Sequence, residues 1–178
     1  MRVLFLPVRS RTMQLLCLLL LCLALSACSD EKNMSARTES LAAFSITLPE
    51  GWVTNIPDGM ECTANRCVAG FAHAPSGSQS AVTVSVVPSL GKKLEEIAEE
   101  SRQNMASHDA VMKEKMRTET RVEYEGTIKE SPARLIATLD AASQQVGILL
   151  LVGENEQTKA IVQSIRMKNP ALDFAGQQ

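Results

Sequence analysis

The clearest alternation in the chain is Val82-Thr-Val84-Ser-Val86, which predicts a strand with one buried face, stopped at Pro88. Phe44-Ser-Ile46-Thr-Leu48 has the same period, breaks at Pro49-Glu50-Gly51 and resumes briefly at Trp52-Val53-Thr54. Ile56-Pro-Asp-Gly59 and the polar run Pro75 to Ser80 read as turns flanking a further strand, Cys67 to Ala74. From Leu90 the period changes. Leu94, Ile97, Ala98, Ser101 and Met105 recur at helical spacing, with Lys93, Glu95, Glu96, Glu99, Glu100 and Arg102 on the other side. This predicts an amphipathic helix packed on a sheet, capped by Ser89 and ending near Ser107, its acidic face solvated. Val111 to Arg121 fits either a longer helix or a strand, and its charge favours a strand at a sheet edge. Three stronger strands follow: Arg121 to Ile128, Ala133 to Leu139 and Val146 to Val152. Gly147 to Val152 is almost continuously apolar, as expected of a central strand covered on both faces. Asn155 then caps a helix from Glu156 to Arg166 with Ile161 and Ile165 inward, and Asn169 to Gln178 reads as a frayed tail. Strands, a long helix, more strands and a terminal helix make an α+β fold: an antiparallel sheet with helices packed on its faces.

The N-terminus has a different pattern. Arg2, Arg9 and Arg11 precede a leucine-rich run from Leu15 to Leu25, followed by the small residues Ser26 and Ala27. These are the parts of a secretory signal, residues 1–27. A helix of about 11 residues spans about 16 Å, too short for a hydrocarbon layer of about 30 Å. Leu25-Ser26-Ala27-Cys28 resembles the lipobox of bacterial lipoproteins. The resemblance implies cleavage before Cys28 and lipidation of its thiol, with several acyl chains anchoring the mature protein in a membrane. Ser29 in second place favours the outer membrane, periplasmic face; Asp30 beside it keeps the inner membrane as the alternative. Residues 28–40 are polar and read as the lipidated Cys and a flexible tether.

Composition narrows the function. Removing the signal takes three arginines and no acids, so Lys plus Arg falls from 18 to 15 against 20 acids and the formal charge goes from -2 to -5. An acidic domain with one Trp and one Tyr is a poor nucleic-acid binder, lacking both phosphate-neutralising cations and stacking platforms. With Cys17 and Cys22 in the signal and Cys28 lipidated, Cys62 and Cys67 remain as a pair. In an oxidising compartment they predict a disulfide closing a tight loop, contributing about 2 kcal/mol. A redox or metal pair is the alternative, although the spacing is not that of thioredoxin-like sites.

Phe44-Ser-Ile-Thr-Leu-Pro-Glu-Gly-Trp52 resembles the opening of the PsbP-like family and its DcrB-like bacterial lipoproteins. The passage from Ile148-Val152 through Glu154 and Asn155 into a helix carrying Ser164-Ile165 is similar too. So is the Gly126 to Ala133 turn, although it is longer than the family's Gly-x-Pro-Ala hairpin. The resemblance covers residues 41–168 and leaves 169–178 as a tail. It implies an α/β/α sandwich whose members, among them a photosystem subunit, a Ran-binding protein and secretion chaperones, share partner binding rather than catalysis. It supplies no catalytic residue.

Nor do the residues supply one. His73 and His108 sit in no triad or zinc spacing, and no Gly-rich phosphate loop is present. No catalytic residue, metal site or cofactor is therefore assigned. Met105, His108, Met112 and Met116 would line one stripe suited to Cu(I) if the helix ran on through Arg117; otherwise these methionines fill core gaps. The expectation is a non-enzymatic periplasm-facing lipoprotein that binds or supports another envelope component, a small-ligand or Cu(I) carrier being the alternative.

Overall fold

The structure is a computed structural model that describes residues 35–73 and 80–174. The signal, Cys28 and residues 29–34 lie outside the described residues, as do 74–79, which hold most of the expected polar turn, and 175–178. No helix among the described residues is long and apolar enough to cross a membrane.

Seven antiparallel strands form the main sheet: β3 (Trp52–Asn55), β4 (Cys67–His73), β5 (Ala81–Pro88), β6 (Ala110–Arg117), β7 (Arg121–Ile128), β8 (Ser131–Asp140) and β9 (Gln145–Val152). Their spatial order is β3-β4-β5-β9-β8-β7-β6. The apolar run of β9 thus lies at the centre, and the charged Ala110–Arg117 segment forms one edge, as its composition predicts. A second sheet joins β1 (Arg37–Ser40), β2 (Phe44–Leu48) and β10 (Arg166–Met167). Helix α1 (Leu94–Ala106) follows β5, and α2 (Glu156–Ser164) follows β9. The fold is α+β, with a helix on each face of an antiparallel sheet.

Alternation decides which residues enter which layer. Val82, Val84, Val86, Ile136, Leu149 and Leu151 point to one side, where they pack with Phe44, Ile46 and Leu48 of β2 and with Ile161 of α2. Val122, Tyr124, Leu135, Ala137 and Val146 point to the other, against Leu94, Ile97 and Ala98 of α1. Each core is built by one parity of the same strands. A one-residue slip would exchange the two sets, so register is strongly specified.

Local chemistry sets the ends. The Asn155 side chain accepts from Thr158 N at 2.9 Å and Thr158 Oγ1 accepts from Asn155 N at 2.8 Å, a reciprocal cap at the start of α2. The β7–β8 hairpin turns on Lys129 and Glu130, both left-handed (φ 47° and 68°). This conformation matches the twist of the flanking strands, though glycine or asparagine is the usual occupant.

Several expectations change. Arg37–Ser40 is a strand, not tether, because it pairs with β2 from Arg37↔Leu48 to Ser40↔Ser45. Ser89 is not the cap of α1; that place falls to Lys93, and the Ser89 hydroxyl bonds to Gln144 instead. Helix α2 stops at Ser164, since Arg166 and Met167 turn outward to pair with Ser45 and Phe44. The segment after Asn169 is docked rather than frayed: Pro170–Leu172 forms a 3-10 turn, and Leu172 and Phe174 are buried in the first core.

Candidate functional site

Three connections meet at one end of the main sheet. The first is the long β3–β4 loop, closed by the disulfide between Cys62 and Cys67, whose Cα atoms are 4.2 Å apart. Cys67 is fully buried in the first core and Cys62 packs at its margin. Between them the chain turns back on itself: Thr63 N donates to Arg66 O at 2.8 Å, and Arg66 N to Thr63 Oγ1 at 3.1 Å. The sequence expectation of a structural disulfide matches this arrangement.

The second connection is Ser89 to Lys93, between β5 and α1. Pro88 ends the strand, and Leu90 and Gly91 follow in left-handed conformations (φ 54° and 78°). Glycine takes this form freely; for leucine it costs about 1–2 kcal/mol. Leu90 is also 83% exposed, so packing does not repay that cost. The third connection is Ala141 to Gln144, between β8 and β9, where Gln144 is also left-handed (φ 55°). The two strained turns are joined: Ser89 N donates to Gln144 O at 2.8 Å, and Ser89 Oγ to Gln144 Oε1 at 3.1 Å.

Between these loops is a shallow pocket of about 380 Å³ lined by Asn65, Pro88, Leu90, Gly91, Ser143, Gln144 and Gln145. None of these side chains ionises. Gln145 is buried and ties the walls together. Its Nε2 donates to Asn65 Oδ1 at 2.7 Å and Ala64 O at 3.3 Å, while its Oε1 accepts from Ser143 Oγ at 3.3 Å and Asn169 Nδ2 at 3.2 Å. Behind them Asp140 accepts from Ser143 Oγ at 2.6 Å and Asn169 Nδ2 at 2.8 Å. Those bonds hold its carboxyl below the usual carboxylate range. The pocket offers neutral amides and an aliphatic knob, suited to apolar and amide surfaces. It brings no nucleophile to a base.

Ionisable clusters lie elsewhere. On the α1 face, Arg102 clasps Glu99 (2.5 and 2.8 Å), Gln103 donates to it at 2.8 Å and Tyr124 OH at 3.4 Å. The Arg102 and Gln103 bonds bring Glu99 down to about 2. On the opposite face, buried Glu123 lies between Arg121 (2.6 Å) and Arg134 (2.8 Å). Burial opposes its ionisation, and the two guanidinium groups outweigh that, leaving its pKa below the ordinary value. Arg121 also donates to Phe174 O at 2.7 Å, making this cluster a clasp on the C-terminal segment.

The methionine–histidine stripe does not form. Helix α1 stops at Ala106, Asp109 is left-handed (φ 59°), and β6 begins at Ala110. Met112 turns into the second core with Met105 at its margin, while Met116 is exposed on the strand. No group of three or more His, Cys, Asp or Glu is placed to hold a metal ion among the described residues. Sequence reasoning passed over Leu90. The signal was a bulky aliphatic inside the turn-forming run Pro88-Ser-Leu-Gly91, where helical periodicity had not yet begun.

No family model matches the chain, and no curated protein matches it in sequence. Among solved structures it is similar to the Saccharomyces cerevisiae Ran-binding protein Mog1p, at 10% identity and a TM-score of 0.45, over 79% of this chain and 99% of that one. A point mutant of Mog1 is similar at 11% identity and a TM-score of 0.40, over 79% and 98%. These likenesses concern the course of the backbone and transfer no residue role.

Proposed function

We propose that this chain is a non-enzymatic lipoprotein domain, anchored through Cys28 on the periplasmic side of the envelope, that binds or supports another envelope protein. The carrying observation is Leu90, an exposed leucine held in a costly backbone conformation beside a pocket of neutral amides. Strain that packing does not repay collects where a surface is kept for something else. A PsbP-like or DcrB-like assignment is consistent with the strand–helix order and with the Phe44–Trp52 and Val152–Ile165 phrases.

Placing a photo-reactive amino acid at position 90 of the full-length protein in bacterial cells tests docking. A discrete protein adduct should form there and not with the probe at Val111, an exposed residue on the far edge strand. Equal labelling at both positions, or none at 90, removes the docking reading. Labelled palmitate tests the anchor separately: incorporation should be abolished by Cys28→Ser, and its absence from the wild type ends the lipoprotein reading.

A further inference from the structure

We propose that the Cys62–Cys67 bond is a redox-sensitive clamp on the Leu90 pocket. An open disulfide would release the pocket's Asn65 wall and loosen the Ser143–Gln145 wall with it. The inference takes its functional meaning from the docking reading above, but its physical content stands on the fold alone.

The β3–β4 connection, residues 56–66, has few ties to the body. Ile56 and Cys62 pack at the margin of the first core, Cys62 is bonded to Cys67, and Gln145 donates to Ala64 and Asn65. Thr63, Ala64, Asn65 and Arg66 are all exposed. The Thr63–Arg66 bonds fold the loop on itself without attaching it to the sheet. The disulfide therefore fixes where Ala64 and Asn65 present their acceptors, and Gln145 reads that position.

Gln145 cannot lose those acceptors alone. Its Nε2 faces the loop, and its Oε1 takes the Ser143 hydroxyl and the Asn169 amide. Asn169 in turn accepts from Ala171 N at 3.1 Å, starting the 3-10 turn that buries Leu172. A buried amide left without its acceptors is costly, so the side chain reorients or admits water, and the bonds on its other end change as well. One covalent bond at the core margin thus governs a polar chain running through the pocket wall to the C-terminal turn.

The chemistry is thiol–disulfide exchange with a dithiol reductant. A thiolate of the dithiol attacks the Cys62 sulfur, at the core margin, and Cys67 leaves as thiolate and takes a proton. The second thiol then displaces Cys62, which is protonated in turn. The protein gains two thiols, and the reductant is oxidised to its own disulfide.

Backbone hydrogen exchange of the folded protein, with and without dithiothreitol, tests the clamp. Reduction should accelerate exchange about tenfold or more at Ala142 and Ala171, whose amides bond to Asp140 and Asn169, and leave Val122 to Tyr124 unchanged. Acceleration confined to residues 62–67 overturns the proposal. Gln145→Ala, with the disulfide intact, should reproduce the effect at Ala142 and Ala171. Reduction of that variant should then add changes only in 62–67; further acceleration at Ala142 removes Gln145 as the link. Should Gln145→Ala unfold, the Cys62→Ala/Cys67→Ala pair tests the clamp instead: it should show the same acceleration at Ala142 and Ala171 as the reduced wild type, and its absence there overturns the proposal. No binding partner enters this experiment, so a failed clamp and a failed docking site give separate results.

Discussion

Arg121 Nη2 donates to the backbone oxygen of Phe174 at 2.7 Å, across 53 residues of sequence, while Arg121 Nε holds Glu123 at 2.6 Å. One guanidinium thus joins a buried carboxylate on β7, next to the edge strand, to the last described residue of the chain. Phe174 lies over Gly147, where a Cβ would come within 3.3 Å of its ring. Phe174→Ala should cost about 3 kcal/mol, as for other buried phenylalanines, and lower the melting temperature by about 10 °C. Thermal unfolding by circular dichroism measures it. A variant that melts with the wild type would mean this segment is not docked in solution.

Gly126 faces Met112 across the β6–β7 pair so closely that a Cβ would stand 1.9 Å from Val111 O and 2.8 Å from Met112 Cα. Backbone must move to admit it. Gly126→Ala should cost about 3 kcal/mol, the upper end for overpacking. Exchange should also accelerate first at the β6 edge. Chemical denaturation with residue-resolved exchange measures both, and a neutral substitution would refute this register.

Acid should weaken the fold from two sides. Glu99 falls from 4.5 to about 2, Arg102 being the largest cause, and Glu123 is lowered as well, its burial outweighed by Arg134 and Arg121. A carboxylate with a lowered folded-state pKa contributes stability above its unfolded value and loses it as pH falls through the folded one. The urea midpoint should therefore hold down to about pH 4.5 and fall toward about pH 2. Glu99→Gln should make that fall shallower. An unaltered profile would remove Glu99 from the account.

Leu90→Gly separates stability from docking. Glycine takes a φ of 54° without the Cβ penalty, and an 83% exposed side chain has little packing to lose. The variant should gain about 0.5 kcal/mol in equilibrium denaturation, the relieved backbone penalty being partly offset by the entropy glycine adds to the unfolded chain. With the photo-probe moved to the nearby exposed Lys93, whose φ is -74°, it should also lose the adduct that the native Leu90 supports. Lower stability would show that Leu90 serves the fold.

Strand positions were legible because burial writes itself into the pattern: β5 alternates residue by residue, and β9, covered on both faces, is a nearly continuous apolar run. The edge place of β6 was legible from charge. Arg37-Thr-Glu-Ser40 was not, since its exposed and half-buried positions are all polar and its stabilisation comes from hydrogen bonds to β2. Ser89 looks like a cap in sequence, yet the turn at Leu90 and Gly91 displaces the helix start to Leu94, leaving its hydroxyl to Gln144. The break at Asp109 that disperses Met105, His108, Met112 and Met116 depends on one left-handed residue within a helix-compatible composition. The disulfide was readable from cysteine arithmetic. Its position beside the pocket was not, because Gln145 and Asn65 meet across 80 residues.

Strand β2 lies between β1, near the beginning of the described chain, and β10, close to its end. A ribosome therefore makes the last partner of the small sheet, and the lid formed by Leu172 and Phe174, after every other described element. Until those residues emerge, the Phe44, Phe71 and Leu149 side of the nascent chain lacks part of its cover. Premature termination near position 165 would leave that oily layer open, a substrate for chaperones and proteases and not a slightly shortened version of the finished molecule.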